Sequence, residues 1–306
     1  MTEPGPRPLD APGVALMVGC CALWGANAVA IKFATPDLPP IGVAGFRFLF
    51  ALPVVTMACR WFGQPLWPSP RLGLLLAMHT GLTVAQIGAF HWGTSHSQAG
   101  RASIFINVHP LVVAPLSWIL LGERMGFRGM TGLASAAIGV AIVLSGAPRG
   151  VTSSGDLAVL GSGMIFGAQT IAQKLTFGKI PPATLLFAQS VGAIPIFFAY
   201  SFCVEGTDAY HFTSRALGGV MFQGIAVSGV CFSTWMILLR RYPAGKLATL
   251  AFLTPIFGVG LGTLLRGEAL TGPLVAGGGL VGIGIYLVAA DKVGARAAEV
   301  AEAQRR

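Results

Sequence analysis

Charged side chains are scarce in this sequence. Asp, Glu, Lys and Arg make up 10% of its 306 residues, against about 25% in an average globular protein. Hydrophobic residues reach 54%, and the mean hydropathy is +0.73. A water-soluble domain of this composition would have to expose large apolar patches, which soluble monomers avoid. The shortage of charge therefore excludes an ordinary soluble domain and indicates a polytopic membrane protein.

The sequence also lacks the residue sets that enzymes and metal sites need. It has no His-Glu-x-x-His or Gly-x-Ser-x-Gly motif, and its five Cys residues lack metal-ligand spacing. Gly277-x-Gly279-x-x-Gly282 matches a dinucleotide fingerprint. It lies inside an apolar run with no preceding strand, so helix packing explains it better. We therefore predict no enzyme activity, no metal and no cofactor.

The net charge of +9 reflects membrane orientation better than nucleic-acid binding. No block of basic residues with interleaved aromatics occurs, so no nucleic-acid partner is predicted. If the N-terminus is cytoplasmic, fourteen of the 20 Lys and Arg residues lie on the cytoplasmic side, as the positive-inside rule requires. We predict a bacterial inner-membrane protein with both termini in the cytoplasm and the lipid bilayer around it.

Apolar runs of about 20 residues recur along the chain, which is the length an α-helix needs to cross a bilayer. The two-residue alternation of a membrane β-barrel is absent. The sequence therefore predicts an all-α protein with ten transmembrane helices, over residues 13–34, 39–60, 71–93, 98–121, 127–146, 155–175, 181–203, 215–239, 246–265 and 271–290.

The chain is an internal duplication. Residues 98–145 are echoed by residues 243–290, and the earlier part of each copy repeats at offsets of 142 and 143. Each copy has five predicted helices, an odd number, so the second copy inserts upside down relative to the first. The predicted organisation is a tail (1–12), the first repeat (13–146), a linker (147–154), the second repeat (155–290) and a second tail (291–306).

Several residues of this chain match a known family. They are Leu23-Trp24-Gly25-Ala26-Asn27, Arg47, Pro110 with Leu120-Leu121-Gly122-Glu123-Arg124, and Pro255 with Gly267-Glu268. In order and spacing the chain resembles the drug/metabolite transporter superfamily, specifically its ten-helix group with two EamA domains, over about residues 14–290. The resemblance implies a central cavity lined by helices 1–4 and 6–9. It also implies that helices 5 and 10 are peripheral, which would allow a homodimer through them.

The leading functional prediction is a secondary transporter that exports small metabolites, such as amino-acid-like or other polar or amphipathic solutes. Substrates reach a site between the inverted repeats by alternating access. An uptake permease of the same fold and a passive channel remain as alternatives. A channel would give flux that does not saturate with substrate concentration.

Polar residues within apolar helices are costly, which makes them candidates for function. Arg47 lies about eight residues into helix 2, and its counterpart in the second copy is the uncharged Gln189. It could bind a substrate carboxylate or clamp neighbouring carbonyl groups. Asn27 and its counterpart Gln169 could bind a polar solute or join helices by hydrogen bonds. We predict that Arg47, Asn27, Gln86 and Gln169 line one polar cavity.

Further candidates are Trp24, His91 and Asn107, which we also assign to the substrate site. His91 and His109 could carry a coupling proton, or could be packed, hydrogen-bonded histidines. Pro110 and Pro255 are predicted to bend helices 4 and 9 at related points and could act as hinges. Their positions repeat at an offset of 145.

Two glutamates complete the set of predictions. Glu123 and Glu268 follow a glycine at the tight links between helices 4 and 5 and between helices 9 and 10. A glycine can end a helix in a left-handed turn. Each carboxylate would then lie near the N-terminus of the next helix and cap its free amides, a structural role.

Overall fold

The computed structural model describes residues 10–121, 126–146, 153–176, 178–241, 250, 253–284 and 286–287. These residues form helices, turns and short connections, with no strand among them. Most of the two tails, most of the linker, and Glu123 lie outside the described residues. The predicted domain boundaries therefore remain predictions.

Twelve α-helical segments follow one another in the described part of the chain. A 3-10 turn at Pro70–Leu72 precedes α3, a π-helical turn at Ser201–Glu205 extends α8, and a π-helical segment at Phe222–Cys231 joins α9 to α10. The helices are α1 (Ala11–Ala34), α2 (Pro40–Trp61), α3 (Gly73–Ser95), α4 (Ala99–Ile106), α5 (Pro110–Leu121), α6 (Phe127–Ser145), α7 (Ser153–Thr176), α8 (Pro182–Tyr200), α9 (Ser214–Met221), α10 (Phe232–Arg241), α11 (Leu253–Arg266) and α12 (Gly272–Gly284).

Six helical segments are long and apolar enough to cross a bilayer, and α11 and α12 are shorter apolar helices. The protein is therefore an all-helical membrane protein built of two repeats. Helix is present in every predicted span, but the number of crossings stays a prediction. The six long segments are Ala11–Ala34, Pro40–Trp61, Pro70–Ser95, Phe127–Ser145, Pro182–Glu205 and Ser214–Trp235.

The fourth predicted helix is broken rather than bent. After α4, the amides of Asn107 and Val108 bond to carbonyls only three residues back, at 3.1 and 3.2 Å, which tightens the chain into turns. Pro110 has no amide hydrogen and begins α5, the first position of a helix where proline costs least. Pro255 lies in α11, close to its first described residue, Leu253. Residues 251–252 lie outside the described residues.

Most helices pack mainly against helices of the other copy, and the main contacts between the copies recur in symmetric pairs. A Cβ atom added to Gly25 would lie 2.8 Å from the Thr254 carbonyl oxygen, and one added to Gly167 would lie 2.7 Å from the His109 carbonyl oxygen. Gly25 corresponds to Gly167, and His109 to Thr254. The same backbone approach is thus made twice, between α1 and α11 and between α7 and the start of α5. Such a repetition is expected when a pseudo-twofold axis relates the two copies.

Helices α6 and α12 show the direction of that symmetry. A Cβ on Gly139 would lie 2.5 Å from the Gly277 carbonyl oxygen, and one on Gly284 would lie 2.5 Å from the Gly132 carbonyl oxygen. Contact positions that rise along α6 fall along α12, so the two corresponding helices are antiparallel and the copies are inverted. Small residues let the backbones approach this closely. Gly282 is part of the glycine motif predicted from the sequence to serve helix packing, but a Cβ added to it would have no packing neighbour within 4 Å.

The helix ends gather at two opposite faces of the bundle. At one, the loop of residues 35–39 meets the 206–213 loop, where His211 donates its amide hydrogen to the Asp37 carbonyl at 2.8 Å. At the other, residues 62–69 meet the start of α8, where the Ala183 amide donates to Gln64 Oε1 at 3.0 Å. We call them the 35–39 face and the 62–69 face.

Candidate substrate-binding site

Arg47 is buried in α2 with part of its hydrogen-bonding capacity unused. Its side chain is 7% exposed, and Nε donates to Ser228 Oγ at 2.6 Å. Nη1 is buried and has no hydrogen-bond partner among the described residues. Gly224 lets the 222–231 segment approach, since an added Cβ there would lie 2.8 Å from the Arg47 carbonyl oxygen. A permanently charged guanidinium with a free donor can bind a carboxylate through paired hydrogen bonds.

His91 lies near Arg47 and is fully buried in α3. Its Nδ1 is 2.9 Å from the Ile87 carbonyl oxygen, and its Nε2 is 2.9 Å from Gln223 Oε1. If both partners, the Ile87 carbonyl and Gln223 Oε1, accept hydrogens, the ring must be the doubly protonated imidazolium. If the ring is neutral, the Gln223 amide must be turned so that its nitrogen faces Nε2. Gln223 and Ser228 are five residues apart in the π-helical segment, so the partners of His91 and Arg47 lie about one turn apart on the same helix. Arg47, His91, Gln223 and Ser228 therefore form one polar group, which we call the Arg47 cluster.

Gln86 and Gln169 lie in a different place, where α3 packs on α7. Gln86 Nε2 donates to Ser162 Oγ at 3.0 Å, and Ser162 Oγ donates back to the Gln86 carbonyl at 2.8 Å. Gln169 Nε2 donates to Thr83 Oγ1 at 2.8 Å. Both amides join helices of opposite copies in the arrangement shown.

Asn27, in α1, is buried like the two glutamines, but its Oδ1 has no hydrogen-bond partner among the described residues. Two cavities open at the 35–39 face, and neither is lined by Arg47, Asn27, Gln86 or Gln169. These two cavities do not test whether the four residues line one polar cavity, which stays a prediction. Arg47 and His91 come together, whereas Gln86 and Gln169 serve a helix interface.

The remaining predicted site residues have local partners. Trp24 packs edge to face on Trp235, with ring centres 5.8 Å apart. Asn107 Nδ2 donates to the Ser103 carbonyl at 2.7 Å, which satisfies the frayed end of α4. The His109 ring lies 4.9 Å from that of Phe166, and its Nδ1 is buried with no partner in the described part of the chain.

Glu268 caps a helix other than the one predicted. Gly267 has a φ of +65°, a left-handed turn after α11. The carboxylate then accepts the Ala99 and Gly100 amides at 2.7 and 2.9 Å, at the N-terminus of α4 instead of that of α12. The local rule failed because the inverted packing brings the free amides of α4 beside this turn. Glu123, its counterpart, lies outside the described residues.

Sequence reasoning missed a buried ion pair between α4 and α7. Arg101 and Asp156 are each 1% exposed, and Arg101 Nη2 lies 2.5 Å from Asp156 Oδ2. Ser97 Oγ donates to the other carboxylate oxygen at 2.5 Å. The available signal was that Asp156 is the one acidic residue inside the predicted spans. Because the guanidinium of Arg101 and the carboxylate of Asp156 neutralise each other, the pair can hold α4 to α7 in the interior.

A third histidine is also buried, beyond the two expected within the bilayer. His79, in α3, is fully buried, and its Nε2 lies 2.9 Å from Thr176 Oγ1 of α7. Its position inside the predicted third span was the available signal. The bond ties the two helices near the 62–69 face.

Comparisons with known proteins agree with this architecture. The model of the EamA-like transporter family matches residues 11–145 and 153–290. A "Probable amino-acid metabolite efflux pump" of Salmonella typhimurium is 27% identical over 281 residues, covering 87% of this chain and 90% of that protein. The Escherichia coli protein with the same description is 27% identical over 277 residues, with the same coverage.

More distant relatives extend the agreement. The uncharacterized transporter YoaV of Bacillus subtilis is 23% identical over 276 residues, covering 89% of this chain and 94% of that protein. One crystal structure superposes with a TM-score of 0.68 at 20% identity, over 91% of this chain and 95% of that one, and so shares the fold. Because the family model covers both repeats, the chain belongs to the EamA-like transporter family, a family of multi-pass membrane transporters.

Proposed function

We propose that this protein is a secondary exporter of small amino-acid-like or other polar metabolites in a bacterial inner membrane. It crosses the bilayer ten times, with both termini in the cytoplasm. The names of two relatives as amino-acid metabolite efflux pumps support the solute class. The excess of basic residues on one side supports the orientation.

The observation that carries the proposal is the antiparallel pairing of equivalent contacts. Gly132 meets Gly284 as Gly139 meets Gly277, so the two copies are related by inversion. In such a pair, each half can adopt the conformation of the other, and the exchange moves the opening from one face to the opposite face. The two cavities at the 35–39 face support an arrangement open on that side, which is the periplasmic side in the proposed orientation.

The Arg47 cluster is the proposed binding site. Four buried side-chain atoms of α1, α2, α8 and the 222–231 segment lack partners among the described residues: the donor Arg47 Nη1, the acceptors Asn27 Oδ1 and Gln189 Oε1, and one atom of the Gln223 amide, which is a donor or an acceptor according to how that amide is turned. Buried polar groups are normally satisfied by protein, water or ligand. A solute with a carboxylate could accept a hydrogen bond from Arg47 Nη1 when the helices separate around it.

The test is a transport assay in proteoliposomes that contain the purified protein. Vesicles loaded with radiolabelled amino acids or N-acetylated amino acids should release them at a rate that saturates with concentration and shows counterflow. The assay is repeated with and without an imposed pH gradient. Release that rises linearly with concentration would indicate a channel, and accumulation of external solute by intact cells would indicate an uptake permease. Absence of any protein-dependent flux would refute the proposal.

A further inference from the structure

One of the cavities at the 35–39 face has two basic residues in its wall. Its volume is about 340 Å³, and Lys32, at the end of α1, and Arg266, at the end of α11, both line it. Its other polar lining residues are Thr35 and, at the end of α3, Ser95 and His96. We call it the Lys32–Arg266 cavity. A pocket of this size accommodates a small organic solute.

The groups around the two basic side chains offset only part of their positive charge. Lys32 Nζ donates to the Ser95 carbonyl at 3.0 Å, and the Arg266 guanidinium lies 5.6 Å from the centre of the Phe33 ring. No described carboxylate forms an ion pair with either. Glu268, whose two oxygens accept the Ala99 and Gly100 amides, is close enough to Lys32 to act on it, so its one negative charge offsets one of the two positive charges. The cavity therefore keeps an excess of positive charge.

Two cations in the wall of one cavity repel one another, and the single carboxylate of Glu268 offsets only one of them, so binding of a further anion would lower the free energy. His96 adds no acidic group, because its ring stacks on Trp92 at 4.5 Å and its Nδ1 lies 2.8 Å from the Trp92 carbonyl oxygen. A lysine and an arginine together offer several hydrogen-bond donors to one carboxylate.

Lys32 belongs to the first copy and Arg266 to the second, and the symmetric counterpart of this pair is not a pair of charges. The residue equivalent to Lys32 is Lys174, but the residue equivalent to Arg266 is Leu121. If these residues served only the symmetric packing of the helices, both equivalent positions would be expected to have similar residues. The second cation is thus specific to one end of the bundle, which suits a site that meets the solute on one side of the membrane.

We propose that the Lys32–Arg266 cavity binds the carboxylate of an anionic solute as it passes the 35–39 face. As a step in transport this rests on the proposed exporter function, but anion binding itself does not. The carboxylate of a solute and the phosphate of a lipid headgroup share this chemistry. A solute is the assigned occupant, and the experiment includes the lipid as a separate arm.

The test measures binding by calorimetry in the Arg47→Gln background, which removes the other proposed carboxylate contact. The protein is held in phosphatidylcholine nanodiscs, and the probes are N-acetylleucine and its uncharged amide, which match in size. Arg266→Gln and Lys32→Gln should each weaken binding of the acid about tenfold, the loss of one charge-assisted hydrogen bond at a wet site. Binding of the amide should not change, and Lys32→Arg should retain the affinity for the acid.

Arg215→Gln is the matched control, because Arg215 lies on the same face but is paired with Asp37 at 3.0 Å. An equal effect on acid and amide, or no effect on either, would overturn the assignment. If added phosphatidylglycerol displaces the acid, a lipid is the occupant and the solute assignment is wrong. If wild-type vesicles show no flux while acid binding still depends on Lys32 and Arg266, the exporter proposal fails and the binding site stands.

Discussion

The two copies have equivalent backbone contacts but different polar residues at equivalent positions. Arg47 donates to Ser228 at 2.6 Å, whereas the residue equivalent to Ser228 is Ala85. Gln189, equivalent to Arg47, accordingly has a buried Oε1 with no partner in the described part of the chain. The duplicated glycine contacts have kept the shape of both halves, while the side chains that could meet a solute have diverged. In the proposed transport cycle, symmetric packing would support the conformational change, and the asymmetric side chains would select the solute.

The buried ion pair shows the same divergence. Arg101 and Asp156 pair in the interior, but their equivalents are Lys246 and Val14, which cannot form an ion pair. The α4–α7 contact is therefore joined by an ion pair, and the residue types at the equivalent positions rule out the same ion pair there.

The largest expected effect comes from making the two copies alike at Arg47. Arg47→Gln installs the residue of the second copy and removes the guanidinium. Transport of a carboxylate-bearing solute should fall roughly 100-fold, since a charge-assisted contact is lost from a buried site. Initial rates in proteoliposomes measure this, with Arg60→Gln at the exposed end of α2 as the control. Unchanged rates in a normally inserted Arg47→Gln protein would exclude a substrate role for Arg47.

A smaller but still large effect is expected from the ion pair. Asp156→Asn leaves the buried guanidinium of Arg101 without its counter-charge, and removing one partner of such a pair costs about 3–5 kcal/mol. Thermal unfolding in detergent should therefore occur at a clearly lower temperature. Asp208→Asn, at an exposed site, is the control and should have little effect. If Asp156→Asn melts with the wild type, the ion pair does not hold α4 to α7.

The glycine contacts should respond equally in the two copies. Gly25→Ala and Gly167→Ala each force a Cβ to within 2.7–2.8 Å of backbone or Cβ atoms across the interface. Overpacking of this kind costs about 1–3 kcal/mol. Gly19→Ala, also in α1, has nothing within 4 Å of the new Cβ and should be nearly neutral. Markedly different melting temperatures for the Gly25 and Gly167 variants would contradict the pseudo-twofold packing.

Composition and duplication predict most of this fold, because both are properties of the whole chain. The apolar runs place the helices, and an odd number of helices per copy predicts inversion, which the antiparallel α6–α12 contact bears out. Single contacts are less accessible to such reasoning. Arg101 and Asp156 are 55 residues apart, and no local rule joins them.

The candidate site is harder still to predict. Burial and polarity pointed to Arg47 and His91, which the structure places in one cluster. The same criteria also selected Gln86 and Gln169, which bind across a helix interface, because a buried amide has the same sequence signature in either role. Lys32 and Arg266 come from opposite copies, and only the packing of α1 on α11 brings them to one cavity.

The smallest effect tests a pair of caps that cross between the copies. Helices α2 and α8 both begin after a proline that provides no capping side chain. Glu205 accepts the Ile41 and Gly42 amides of α2 at 3.0 and 3.2 Å, and Gln64 accepts the Ala183 amide of α8 at 3.0 Å. Each copy therefore caps the other, but only one of the two caps is charged.

Glu205→Gln should destabilise the protein by about 1 kcal/mol, because the amide keeps one acceptor and loses the charge that favours a helix N-terminus. Gln64→Glu should stabilise it by a similar or smaller amount, since it adds that charge at α8. Melting temperatures in detergent measure both changes, and the double variant should lie near the wild type if the two caps are equivalent. Should both single variants lose stability alike, the geometry of each site, and not the charge at the helix end, would set the strength of the cap.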